Sequence, residues 1–181
     1  MDSTRDRDRI QHPTTADHAD VAARLDALLS RFDTHFDRHP IGITILLTEF
    51  FLPYLRELYR AFDGDIAMAL VLGEIGQCTT RRFTDPGRRD ALDIARADDA
   101  GIENLARPCS ALSASFASGV PRETARRKVV QLAERGWILE TEDGWVVTDK
   151  PAAAFVPTFN RDQARRLLET ARRMIELLDR A

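Results

Sequence analysis

Between Cys109 and Asp149 the apolar pattern changes period every few residues, and this restricts the chain more than any other stretch. Ser110 to Ser118 (SALSASFAS) reads as a short helix, and Gly119 is a turn. Pro121 then opens a second helix that runs to about Arg135, a position proline tolerates because the first-turn N–H has no partner inside the helix anyway. Gly136 ends it. Trp137 to Thr141 and Trp145 to Thr148 alternate like strands, and Glu142-Asp143-Gly144 joins them as a hairpin. Few architectures place helix, tight turn, helix and hairpin in that order.

In the second of these helices Ala125, Val129 and Leu132 fall at i, i+4 and i+7 and point inward. The opposite face carries Arg122, Glu123, Arg126, Arg127 and Lys128 near its N-terminal half. From Arg107 to Arg135 the chain holds six basic residues and two acids, a local +4 against −7 for the remainder and −3 for the whole. The molecule is therefore not basic throughout. A single basic element on an acidic body fits a protein that meets a polyanion with that element only. A DNA-reading helix needs this arrangement: apolar residues anchor it on the preceding helix, and long polar side chains at its N-terminal end reach base edges. Arginine pairs with guanine through two hydrogen bonds, a carboxylate accepts from the cytosine amino group, and Ser, Thr and Lys suit phosphates.

Pro121-Arg122-Glu123-Thr124-Ala125-Arg126-Arg127 resembles the recognition helix of the cyclic-AMP receptor and GntR-type winged-helix regulators, which show a Ser-Arg-Glu-Thr-Val-x-Arg pattern. Gly136-Trp137-Ile138 and the short hairpin after it resemble their wing. The resemblance implies base contacts from Arg122, Glu123 and Arg127, with Ser118, Thr124, Arg126 and Lys128 near phosphates of double-stranded DNA. It spans only Cys109 to Asp149 and names no effector. Pro121 stands where that pattern often has a capping Ser, which removes a hydroxyl and one phosphate contact. The helical segments on both sides also resemble the MarR arrangement, in which terminal helices build a homodimer.

Those flanking segments divide the chain further. Residues 1–16 form a charged, disordered tail. Residues 17–80 are N-terminal helices that supply dimerisation and the first helix of the winged-helix core. Asp17 to His39 reads as one amphipathic helix with Val21, Leu25, Leu28, Leu29, Phe32 and Phe36 on its stripe. A second, more apolar helix covers residues 43–62, with Pro53 expected to kink it. Asp63-Gly64 closes it, and Asp65 caps a third helix from Ile66 to about Cys78. Residues 81–107 are a variable connector, 108–149 the helix-turn-helix and wing, and 158–181 a C-terminal dimerisation helix. In the last, Asn160 and Gln163 have capping-box spacing, and Ala164, Leu167, Leu168, Ala171, Met174, Ile175 and Leu178 make one apolar stripe. The expected fold is mainly α with a small β-hairpin wing, a winged helix-turn-helix with flanking dimerisation helices.

Several function classes lose ground. The longest apolar stretch, Ile41 to Leu55, is broken by Glu49 and Pro53 and falls short of the ~20 residues of a membrane span. With a polar N-terminus that lacks a signal-like core, this points to a cytoplasmic protein with no membrane partner. Cys78 and Cys109 lie outside any CxxC spacing, which suggests a reducing compartment and no structural zinc. His35 and His39, with Asp33 and Asp37 beside them, have a spacing that suits a metal but no third ligand; a polar helix end is the other reading, and no cofactor is expected. Phe50, Phe51 and Tyr54 either line a pocket for a small apolar effector or pack a core or dimer interface. No Gly-rich phosphate loop, GxSxG or Cys-His pairing gives catalysis a foothold. Three classes remain: a DNA-binding regulator, a ligand sensor, and a winged-helix protein-interaction module.

Overall fold

The computed structural model describes residues 15–84 and 107–180. The first 14 residues of the expected tail and nearly all of the 81–107 connector lie outside these described residues. The helices are α1 (Thr15–Leu29), α2 (Phe32–Arg38), α3 (Pro40–Ala61), α4 (Ile66–Thr84), α5 (Ala111–Ser118), α6 (Arg122–Glu134), α7 (Asp149–Phe155) and α8 (Arg161–Asp179). Strands β1 (Ile138–Thr141) and β2 (Gly144–Val147) lie between α6 and α7, and a wider, π-type turn over Val156–Asn160 joins α7 to α8. Among the described residues the protein is mainly helical with one small antiparallel sheet.

Local chemistry explains where helices start and stop, including two departures from expectation. The amphipathic run after Asp17 is two helices, because the Ser30 hydroxyl donates to the Ala27 carbonyl at 2.9 Å and Arg31 adopts φ −116°, ψ 13°. A side chain that takes a helical carbonyl competes with the backbone ladder. Asn160 and Gln163 form no capping box: Arg161 already has φ −60°, ψ −47°, so α8 continues from the preceding turn and has no free start to cap. Gln163 is buried and donates its amide to Glu57 instead. Asp65 caps α4 as expected, accepting from the Met68 N–H at 3.0 Å. Pro40 opens α3, which runs on through Pro53, and α4 extends past Cys78 to Thr84.

The chain divides into two compact units. One holds residues up to Glu49 together with those from Leu168 onward. Its core is small: Leu28, Ile43 and Leu178 are buried, with Phe32, Phe36 and Met174 packed around them. Arg24 pairs with Asp179 and Arg173 with Glu49 at its surface.

The other unit, Phe50–Leu167, is built around α4. Val71 and Ile75 of α4 are fully buried, among Ala114 of α5, Ala125, Val129 and Leu132 of α6, and Ile138 of β1. The hairpin pairs Ile138 with Val147 and Thr141 with Gly144, so Glu142 and Asp143 form a two-residue turn. Cys109, just before α5, exchanges both backbone hydrogen bonds with Trp145, at 2.8 and 2.9 Å, and forms an isolated antiparallel bridge with β2. That close approach needs glycine at the neighbouring position: Gly144 has φ +138°, and a Cβ there would sit 2.8 Å from the Cys109 carbonyl oxygen.

Candidate nucleic-acid interface

The basic helix α6 is held by the turn before it. Ser110 caps α5, accepting from the Ser113 N–H at 3.0 Å, and Gly119 ends α5 in the left-handed region at φ +68°. Within the turn, the buried Ser115 hydroxyl donates to the Val120 carbonyl at 2.8 Å. Ser118 accepts from the Val120 N–H at 3.2 Å and donates to the Ser115 carbonyl at 3.3 Å. The Ser118 hydroxyl, expected near phosphate, thus makes both of these hydrogen bonds inside the turn.

Ala125, Val129 and Leu132 are buried, as their spacing requires, and fix the rotation of α6 about its axis. Arg122, Glu123, Arg126 and Arg127 are exposed, and Thr124 is half-buried. Glu123 and Arg126 form a two-pronged pair, Nε to Oε2 at 3.0 Å and Nη2 to Oε1 at 2.8 Å. The hydrogen bond and charge of Arg126 hold the Glu123 carboxyl below its usual range. Arg122 and Arg127 make no hydrogen bond or ion pair among the described residues. Pro121 offers no side-chain cap, so the first N–H groups of α6 lack an intramolecular acceptor from it. Cations around a helix N-terminus oppose the helix dipole, whereas an anion placed there is favoured.

Lys128 departs from expectation. Only 11% of its side chain is exposed. Its ammonium is turned inward onto the Asp65 carboxylate and donates to Gln131 Oε1 at 3.0 Å. Lys128 lies three positions after Ala125, at the edge of the buried stripe, and is drawn to the acid that caps α4. It belongs to the packing of α6 against the start of α4, and its ammonium faces protein. Sequence reasoning missed this link, since its two ends are 63 residues apart.

The hairpin tip presents Glu142 and Asp143 to solvent, with Leu139 exposed on β1. Of the three aromatics singled out on α3, Tyr54 lines a cavity of which Phe50 and Phe51 are not walls. Phe50 stacks on Tyr54 with ring centroids 6.1 Å apart and meets Phe51 edge-on, and Phe51 is half exposed. Tyr54 leans on Phe159, and Phe155 lies flat on Phe62 and edge-on to Trp137. Among the described residues no group of three or more His, Cys, Asp or Glu is placed to hold a metal. Among them, too, no helix is long and apolar enough to cross a membrane. Cys109 is buried beside Cys78; burial first, then hydrogen bonding with Cys78, pushes its thiol up to about 12.

No protein-family model matches the chain, and no curated protein or solved structure does so either.

Proposed function

We propose that this chain is a sequence-specific DNA-binding transcriptional regulator that acts as a homodimer, with Cys109–Asp149 serving as a winged helix-turn-helix and α6 as its recognition helix. One observation carries the proposal. Two exposed arginines that make no hydrogen bond or ion pair among the described residues, Arg122 and Arg127, project from the N-terminal half of a helix whose opposite face is locked in the core. In the major groove they read bases, and Glu123 joins them once Arg126 swings from it to a phosphate. Thr124 stands at the phosphate-facing flank. Ser118 and Lys128 act one step back, holding the helix in place. The acidic hairpin tip makes the wing a minor contributor, because Glu142 and Asp143 repel phosphate.

The dimer draws its support from the small unit. Val21, Leu25 and Leu29 of α1, and Ile41 and Ile45 of α3, stay exposed there, apolar side chains of the kind a partner subunit covers. A two-fold dimer places two recognition helices about 34 Å apart and reads an inverted repeat. One feature favours protein docking instead: the Phe116 ring on α5 is 81% exposed.

Anisotropy titrations on labelled duplexes across a salt series test the proposal. Arg122→Ala is expected to lose roughly 1–3 kcal/mol on the preferred sequence and to relax one base position. Arg126→Ala is expected to weaken all sequences alike and to make the salt slope shallower by about one. A folded dimer that ignores DNA at low salt would hand the surface to a protein partner.

A further inference from the structure

Helix α4 carries Gly73 and Gly76 in its interior. Each such glycine costs a helix roughly 0.5–1 kcal/mol relative to alanine. Backbone geometry does not demand them, since neither has a positive φ. Close packing does not demand them either: a Cβ on Gly73 would meet nothing within 4 Å, and one on Gly76 only a Val147 methyl at 3.9 Å. Both line one cavity of about 520 Å³ within the Phe50–Leu167 unit. The glycines keep space open on that wall of α4.

The remaining walls indicate what the space suits. Tyr54 and Leu58 of α3, Leu70 of α4, Val147 of β2, and Phe155 and Phe159 make them largely apolar and aromatic. Glu74 is the one charged residue among the described residues that line the cavity. It makes no hydrogen bond or ion pair with the described residues. Gln77 and Asn160 add polar groups, and no basic side chain among the described residues lines the cavity. The volume falls in the range of about 300–1,000 Å³ typical of small-molecule sites. Aromatic faces attract cations, most strongly where water is displaced, and an unpaired carboxylate sets the same preference for charge.

We infer that this cavity binds an organic cation with an aromatic or alkyl body, its charge facing Glu74 and its body lying against the aromatic side chains. This goes beyond DNA recognition by α6, does not rest on it, and is tested without DNA. Binding is reported by the protein itself, since Phe155 on the cavity wall lies edge-on to Trp137 with ring centroids 5.6 Å apart.

The test titrates the full chain with tetraphenylphosphonium and, separately, with tetraphenylborate, two ions of one shape and opposite charge. Tryptophan emission and calorimetry are both followed. Tetraphenylphosphonium is expected to bind saturably, one per chain, and tetraphenylborate about tenfold or more weakly. Glu74→Gln should remove most of that preference. Gly73→Leu should fill the cavity and abolish binding, with a melting temperature at or above that of the wild type. Gly73→Ala, which needs no rearrangement, should weaken binding by a smaller step. Equal binding of both ions would overturn the charge assignment. Binding of neither, or binding that both Gly73 variants leave intact, would overturn the site.

Discussion

Replacing Lys128 with alanine separates packing from DNA contact. The change removes an ammonium that holds the Asp65 carboxylate and Gln131. Hydrogen bonds to charged groups contribute about 1.5–3 kcal/mol each in favourable settings. Breaking a fully buried ion pair costs about 3–5 kcal/mol, because the partner is left as an uncompensated charge. Asp65 keeps 26% of its side chain exposed, so water rehydrates it in part and the lower range applies. A loss of about 2 kcal/mol is expected, which for a chain of this length lowers Tm by about 4–8 °C. Urea unfolding followed by circular dichroism measures it, as a lower midpoint at constant slope. Arg127→Ala is the matched control: exposed, and with no hydrogen bond or ion pair among the described residues, it should change stability by no more than about 0.5 kcal/mol. Combining Lys128→Ala with Asp65→Asn should cost less than the two single changes together. An unchanged Tm for Lys128→Ala, with a salt slope of DNA binding shallower by about one, would refute the inward-facing assignment and return Lys128 to phosphate.

Acid should weaken the same link. Burial raises the Asp65 carboxyl, but the hydrogen bonds from Lys128 and the Met68 N–H and the Lys128 charge outweigh it, so the folded value lies below the ordinary 3.8. Stability from this group is therefore complete above pH 3.8 and is lost as pH falls through the lower folded value; Asp65→Asn should flatten that part of a pH–stability curve. Thiol labelling of the native protein at pH 8 should modify the partly exposed Cys78 first and Cys109 only on unfolding, since Cys109 is buried with its thiol near 12; equal labelling rates would contradict the packing around Trp145. Gly144→Ala should destabilise by about 1–3 kcal/mol through its positive φ and the Cys109 carbonyl, and a neutral result by thermal melting would refute the Cys109–Trp145 bridge.

The sequence spoke most clearly where one local pattern decides the structure. Ala125, Val129 and Leu132 fix the buried face of α6, and Gly119 and Gly144 mark turns that only a residue tolerant of positive φ makes easily. It was silent on contacts between distant positions. Nothing local to Lys128 shows that Asp65 lies beneath it, and nothing near Cys109 shows that it pairs with Trp145. The amphipathic stripe through Leu29 and Phe32 hid a break at Ser30, because periodicity records which face is apolar and not whether the backbone ladder is continuous. The cavity did leave a signal, two glycines inside a helix with no turn to make, which hydrophobic periodicity passes over.

Selection of bound sequences from a random DNA pool at about 150 mM salt, with an Arg122→Ala/Arg127→Ala control, decides whether α6 reads DNA. A dimer that reads through α6 selects an inverted repeat, half-sites about one helical turn apart, that vanishes in the control. Enrichment that survives in the control, or none at all from folded dimer, would contradict the assignment of α6 as the recognition helix.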